Sequence, residues 1–488
     1  MSRRDSAVTS KAGKLNLWQG FFFTVNTVMG AGFLSIPSIF QTGGWVLGVI
    51  VHIAFCLQSL WLAQLMIDCM SRCEVLACKS EEGRELKPVK FGEVWKCSYR
   101  SPERLLSGSN SGLRIEHSPD ITERRLDITE LVRLLFGPTW AKVYLVLVSL
   151  LMLGILTAYS AIFASSFAGT IPLDSSGACN IYEYSGFFND CKWKYWIFLI
   201  VFFAAETALV LASFSEQRWI QASMTGMRIG VIIIVLITCI AAIASDTRID
   251  GDGDNNAHYS PPFNPLFLAP AITVSLFAYL YHAQLPNIAQ FVEDKQRSLK
   301  RMTTSVSLTC FVAYILLGLI VPAAIRKIPG LCTLAYHDYS AGYSSRPWWT
   351  YIISVIVILC PALDVLSSFP IIAISIAENI LSLTHIHQPI SKISKKTVII
   401  VKMIVVTFPT FLSFLDYNII NILGWTSYIS FIVMTFAIPL MFIAGRILVP
   451  ESSPFEAKFA NPHCVTIIAA LQIVLMVFCL AFQVIALA

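Results

Sequence analysis

Long runs of apolar residues, separated by shorter polar stretches, make up most of the chain after residue 17. A helix that crosses a bilayer needs about 20 mostly apolar residues. The pattern therefore predicts an all-α polytopic membrane protein with eleven transmembrane helices. The predicted spans are 18–40, 44–69, 140–170, 195–214, 220–244, 266–291, 303–325, 348–381, 397–415, 419–445 and 463–487.

The composition excludes several classes of protein. Apolar residues are 56 % of the 488 and charged residues only 13 %, against about 25 % charged in a typical soluble domain. A soluble core cannot bury that much apolar surface, so a soluble enzyme and a disordered chain are both excluded. The net charge of +5 gives no indication of nucleic-acid binding.

The positions of Lys and Arg predict the orientation. If the N-terminus is cytosolic, 29 of the 35 Lys and Arg residues fall on, or nearer to, the cytosolic side. Such a bias is typical of cytosolic loops, and with eleven spans it places the C-terminus outside the cell or in a lumen. We expect a cytosolic tail at 1–17 and a transmembrane domain at 18–488 with a cytosolic loop at 70–138. The choice between plasma membrane and vacuole or lysosome stays open.

Three cysteines fall in the predicted outer loops. Cys179 and Cys191 share the loop after the third span, and Cys332 lies in the loop before the eighth. An oxidising compartment permits a Cys179–Cys191 disulfide. Two free thiols, or a bridge that involves Cys332, are the alternatives.

The first span contains several residues that disfavour a continuous helix. Asn26, Gly30, Gly32 and Pro37 all lie within it, which predicts an unwound centre. In such a break, free N–H groups bind a carboxylate and free C=O groups bind an ammonium or a cation. The alternative is a face of small residues used for helix packing.

The sixth span is interrupted in a similar way. His282, Gln284, Pro286 and Asn287 stand in an otherwise apolar stretch. Discontinuous helices at matching positions of two five-span halves are typical of a transporter built from inverted repeats.

These residues resemble a known family. The pattern over 277–288 is Phe-Ala, then His282, then Leu-Pro-x-Ile, and the pattern over 26–32 is Asn-x-x-x-Gly-x-Gly. Both are similar to sodium-coupled neutral amino acid transporters of the amino acid/auxin permease family. The resemblance implies a LeuT-like fold, in which spans 1–5 and 6–10 form a 5+5 inverted repeat and one further helix is peripheral.

The resemblance also assigns roles to residues. It implies that Asn26 belongs to a sodium site and that His282 lies just past the sixth-span break. Backbone contacts to the substrate and an aromatic pocket wall are implied for Thr27, Gly30, Ala31, Gly32, Phe277, Tyr279 and Tyr281.

The eighth span departs from the family pattern, because no Thr aligns with the one expected at the sodium site. Ser367 and Ser368 offer replacement hydroxyl groups, and Asp364 adds a carboxylate. Asp364 is a candidate to bind sodium or to carry a proton, and His282 is a second proton candidate or a packing residue. For Glu206 and Arg228, on consecutive spans, we expect a structural ion pair.

The leading functional hypothesis is a secondary active transporter of amino acids that works by alternating access and is coupled to sodium or protons. The alternative is an amino-acid-sensing receptor with the same fold. An enzyme is disfavoured because the sequence contains no nucleophile elbow and no HExxH helix. We expect no resident cofactor and no metal site, with sodium or a proton as coupling ion. The expected partners are an amino acid and the lipid bilayer, with no nucleic acid, while protein partners stay unknown.

Overall fold

The structure is a computed structural model, and every regular element in its described residues is helical. The described residues are 16–30, 32–81, 88–90, 121, 126–173, 181, 191–211, 217–247, 249, 261–289, 292–384, 393–415, 418–457 and 460–487.

Fifteen α-helices follow one another along the described parts of the chain. A π-helix, Phe431–Phe436, joins α13 to α14. The α-helices are α1 (Leu17–Val28), α2 (Ile36–Gly43), α3 (Trp45–Glu81), α4 (Ile128–Phe136), α5 (Pro138–Ala168), α6 (Lys192–Leu211), α7 (Gln217–Ala244), α8 (Leu268–Ala278), α9 (Leu285–Ala289), α10 (Lys295–Ala324), α11 (Trp348–Thr384), α12 (Lys395–Leu415), α13 (Ile419–Ser430), α14 (Ala437–Leu448) and α15 (Pro462–Leu487).

The all-α membrane architecture is confirmed, but the number eleven is not. Within the described residues, nine helices are long and apolar enough to cross a membrane, or ten if the bent pair α1–α2 counts as one span. The predicted sixth span is α8 followed by α9, and the apolar helix there, Pro265–Ala278, is too short to cross by itself.

The first span is broken where the sequence predicts it. α1 ends at Val28, and a short 3₁₀ helix at Gly32–Leu34 precedes α2. The two halves are bent by 57°. Pro37 lies in the first turn of α2, where its missing N–H group removes no helical hydrogen bond.

The sixth span is broken between α8 and α9. Its freed backbone is satisfied by protein, as a break at membrane depth requires. The Tyr314 hydroxyl on α10 donates to the carbonyl oxygen of Ala278, the last residue of α8, at 2.8 Å.

The second half of the first span is held by an aromatic ring between two glycines. Phe40, on α2, is fully buried. A Cβ atom on Gly48 of α3 would lie 2.8 Å from this ring, and one on Gly318 of α10 would lie 2.6 Å from it. Only glycine at both positions lets the backbones of α3 and α10 approach the Phe40 ring this closely.

The third helix extends beyond its predicted end at residue 69 to Glu81. Just after residue 69, Arg72 is 1 % exposed and donates to the carboxylate of Asp68 at 2.8 Å. It also donates to the carbonyl oxygens of Val449 and Glu451. The buried pair therefore holds the segment after α14 against α3.

Cys191 is disulfide-bonded, whereas Cys332 is a free, buried thiol. Cys332 is therefore not its partner. Cys179 lies outside the described residues, so the pairing with Cys191 stays a prediction.

Candidate functional site

A cavity of about 110 Å³ lies between the two broken spans. Its walls come from the first, third, sixth and eighth spans and from the π-helix. Both breaks border this cavity, which is the position that the sequence predicts for a binding site.

Six of the predicted site residues line the cavity, and they come from three spans. The side chain of Thr27 is already engaged, because its hydroxyl donates to the carbonyl oxygen of Phe23 at 3.0 Å. The lining positions among the predicted residues are Asn26, Thr27, Gly30, Phe277, Tyr281 and Ser368.

Gly32 has a packing position. A Cβ atom on Gly32 would lie 3.0 Å from the Cα atom of Ala278 at the end of α8. The two breaks therefore abut at this point, and Gly32 keeps them in contact. Ala31 lies outside the described residues, so its role stays a prediction.

Two further predicted residues do not line the cavity. His282 is 3 % exposed, and its Nε2 atom lies 2.9 Å from the carbonyl oxygen of Ser59 on α3. Tyr279 packs edge-on against the rings of His52 and Tyr314. Both side chains therefore pack between helices beside the site.

The expected ion pair of Arg228 with Glu206 is wrong. Arg228, on α7, instead pairs with Asp364 on α11, and its Nε atom lies 3.0 Å from Asp364 Oδ2. Its Nη1 atom donates to the carbonyl oxygen of Asn26 at 2.8 Å. The guanidinium of the fifth span (α7) thus connects the eighth span (α11) to the first span (α1).

Glu206 is fully buried on α6. Neither of its carboxylate oxygens has a hydrogen-bond partner among the described residues. Burial of a carboxylate without a partner is costly.

The two candidate hydroxyl groups of the eighth span differ in position. Ser367 donates from Oγ to the backbone carbonyl of Asp364 at 2.8 Å. Ser368 lines the cavity. Of the two, Ser368 is therefore the one that borders the cavity.

The third span supplies a cavity wall that the sequence pattern does not predict. Val148, Leu151, Ile155 and Tyr159, spaced by three or four residues, face the cavity from α5. This spacing marks one helix face, but a uniformly apolar helix gives no sign of which face meets a cavity. Met434 of the π-helix also lines the cavity. Such π-helical segments are rare, and those that occur are often at functional sites.

The described walls of the cavity are uncharged, and the third-span side is largely apolar. Among the described residues that line the cavity, none carries a charge. A charged group of a ligand would therefore need backbone N–H or C=O groups of a helix break as its partners. The third-span face is apolar, in contrast to these backbone groups, and can pack against a hydrocarbon group.

Comparisons with known proteins agree with this geometry. The family described as "Transmembrane amino acid transporter protein" matches residues 13–96 and 113–485. A Drosophila melanogaster relative, "Transmembrane protein 104 homolog", is 21 % identical over 393 residues, which are 75 % of this chain and 75 % of that protein. A Dictyostelium discoideum relative with the same description is 21 % identical and covers 90 % of this chain and 92 % of its own.

A solved structure has the same fold. MhsT, crystallised in complex with L-phenylalanine, matches with a TM-score of 0.53 and 14 % identity. The match covers 95 % of this chain and 98 % of MhsT. At this identity the likeness shows the fold, which is LeuT-like as the sequence predicts. Because the family match includes both broken spans and the eighth span, this chain belongs to the transmembrane amino acid transporter family.

Proposed function

We propose that the protein is a secondary active transporter that carries neutral amino acids by alternating access. The observation that supports this most directly is the cavity of about 110 Å³ bordered by the breaks of the first and sixth spans. Backbone groups in the first break bind the carboxylate and the amine of the substrate. The membership of the family supports an amino acid as substrate.

The substrate is a neutral amino acid in this proposal. Phe277, Ile155 and Met152 present apolar surface to the cavity, and the described lining residues include no charged side chain. A charged substrate side chain would lose its hydration there without a counter-charge, which is unfavourable. The structural relative MhsT was crystallised with L-phenylalanine, which is consistent with a neutral substrate.

The energy for transport comes from a sodium or proton gradient in this proposal. The ion-coupling candidates are Asn26, Asp364, Ser367, Ser368 and His282, and the substrate-binding candidates remain those of the two breaks. The N-terminus is cytosolic and the C-terminus extracellular or lumenal, as the distribution of Lys and Arg favours.

Uptake by purified protein in proteoliposomes tests the proposal. Labelled alanine, leucine, phenylalanine, lysine and glutamate are offered under a sodium gradient and, separately, under a proton gradient. We expect accumulation of neutral amino acids and little of lysine or glutamate. Liposomes that contain the Gly32→Ala variant are the inactive comparison, because its Cβ atom would lie 3.0 Å from Ala278 Cα where the two breaks meet.

The receptor alternative predicts a different result. A sensor binds an amino acid, which shifts its thermal unfolding, but neither gradient drives accumulation. That combination would refute the transport function and leave the cavity as a binding site for a signal.

A further inference from the structure

A buried arginine lies between the break in the first span and the middle of the eighth span. Arg228 is 4 % exposed and Asp364 is 5 % exposed. One guanidinium holds the carbonyl oxygen of Asn26 at 2.8 Å and Asp364 Oδ2 at 3.0 Å. A single fixed cation therefore joins a backbone carbonyl of the first span to a carboxylate of the eighth.

These two oxygens are the kind of ligands that a sodium ion uses. Hard cations take carbonyl and carboxylate oxygens, and in broken-helix transporters the unwound carbonyls and half-helix C-terminal ends coordinate the coupling cation. Asn26 stands two residues before the end of α1 at Val28, where the helix dipole is negative. Asn26 also borders the cavity.

The guanidinium leaves no place for an ion between the same oxygens. It lies within hydrogen-bond distance of both, and a second positive charge there would be repelled. The carboxylate of Asp364 also depends on Arg228 as its partner. Its Oδ1 atom has no hydrogen-bond partner among the described residues, and the nearby Ser367 hydroxyl donates to the backbone carbonyl of Asp364 instead of to the carboxylate.

We propose that Arg228 is a built-in cation that replaces a sodium ion between the first and eighth spans, so that transport does not require sodium. The proposal rests on the proposed function and narrows its choice of coupling ion. Arg228 acts as a positioning residue, since it holds the Asn26 carbonyl in the conformation that borders the cavity.

The first test uses the wild-type protein. Uptake of a labelled neutral amino acid into proteoliposomes is compared in sodium chloride and in choline chloride, at the same pH and with the same proton gradient. We expect equal uptake in the two salts. Uptake that occurs only in sodium overturns the role of Arg228 and leaves transport intact, whereas no uptake in either salt refutes transport itself.

The second test removes the built-in cation. We expect Arg228→Ala to lose uptake in choline chloride and to regain it when millimolar guanidinium or sodium is added. Arg446→Ala is the matched control, because Arg446 pairs with Glu456 at the far end of α14 and added guanidinium should not change its uptake. Full uptake by Arg228→Ala without any added cation would overturn the proposal.

A conservative variant covers the case in which Arg228→Ala does not fold. Arg228→Lys keeps the positive charge but not the planar group that reaches both oxygens. We expect lower uptake that is still independent of sodium. A sodium requirement in Arg228→Lys would contradict the proposal.

Discussion

At the scale of single residues, the contact between the two breaks depends on the absence of one methyl group. Gly32→Ala places a Cβ atom 3.0 Å from Ala278 Cα, and overpacking of this kind costs about 1–3 kcal/mol. We expect loss of amino acid uptake. Gly226→Ala is the control, since its Cβ atom would meet no atom within 4 Å, and normal uptake by Gly32→Ala would disprove the role of this contact.

The buried ion pair makes a prediction about stability. Removal of either partner alone, in Arg228→Met or Asp364→Leu, leaves an uncompensated buried charge and costs about 3–5 kcal/mol. The double variant removes both charges, so we expect its unfolding temperature in detergent to exceed that of either single variant. Additive losses in the double variant would show that the two residues do not interact.

The size of the cavity is tested by filling it. Ile155 faces the cavity, and Ile155→Trp adds bulk to a space of about 110 Å³. We expect uptake to fall while the unfolding temperature changes little. Ile233→Trp is the matched control because Ile233 is 50 % exposed on α7, and equal uptake by both variants would place the substrate elsewhere.

At the scale of elements, the second half of the first span is fixed by its packing between α3 and α10. Gly318→Ala places a Cβ atom 2.6 Å from the Phe40 ring. A rigid ring that is fully buried in a close-packed interior cannot move aside without a loss of folding stability. We expect a lower unfolding temperature than for Gly230→Ala, whose Cβ atom would meet no atom within 4 Å. Equal unfolding temperatures would contradict this account of the packing.

The interrupted helices could be predicted from the sequence because their causes are local. Gly30 and Gly32 disfavour helix, and Pro37 is disfavoured in a helix interior but accepted in a first turn, so it favours a new helix start. An interruption at membrane depth needs a ligand, water or protein to satisfy it. The extension of α3 past residue 69 could not be predicted from local sequence, because Arg72 there packs against a distant part of the chain and donates to the carbonyl oxygen of Val449 beyond α14.

The partner of Arg228 could not be predicted for a related reason. Arg228 and Glu206 lie on consecutive spans, which favours their pairing in a prediction from sequence, but Asp364 is more than a hundred residues away along the chain. Which charges meet depends on the rotation and depth of each helix, and these are set by packing of all the spans. The contribution of α5 to the cavity wall could not be predicted either, because the sequence of a helix that is apolar all round does not indicate which side lines a cavity.

At the scale of the whole molecule, the site joins parts of the chain that are far apart in sequence. Gly32 packs on Ala278 and Arg228 connects Asn26 to Asp364. The first span therefore lies in close contact with the sixth span and is joined to the eighth span by one arginine. Under the proposed function, a movement of the first span would change both contacts.

The most direct test of the central claim is exchange of a neutral amino acid across a membrane. Proteoliposomes are loaded with unlabelled alanine or leucine and diluted into the same labelled amino acid, with sodium and pH equal on both sides, so the result does not depend on which ion gradient drives transport. We predict that labelled amino acid accumulates, and that Gly32→Ala and Ile155→Trp abolish this accumulation. No exchange of any neutral amino acid by the folded wild-type protein would contradict the account.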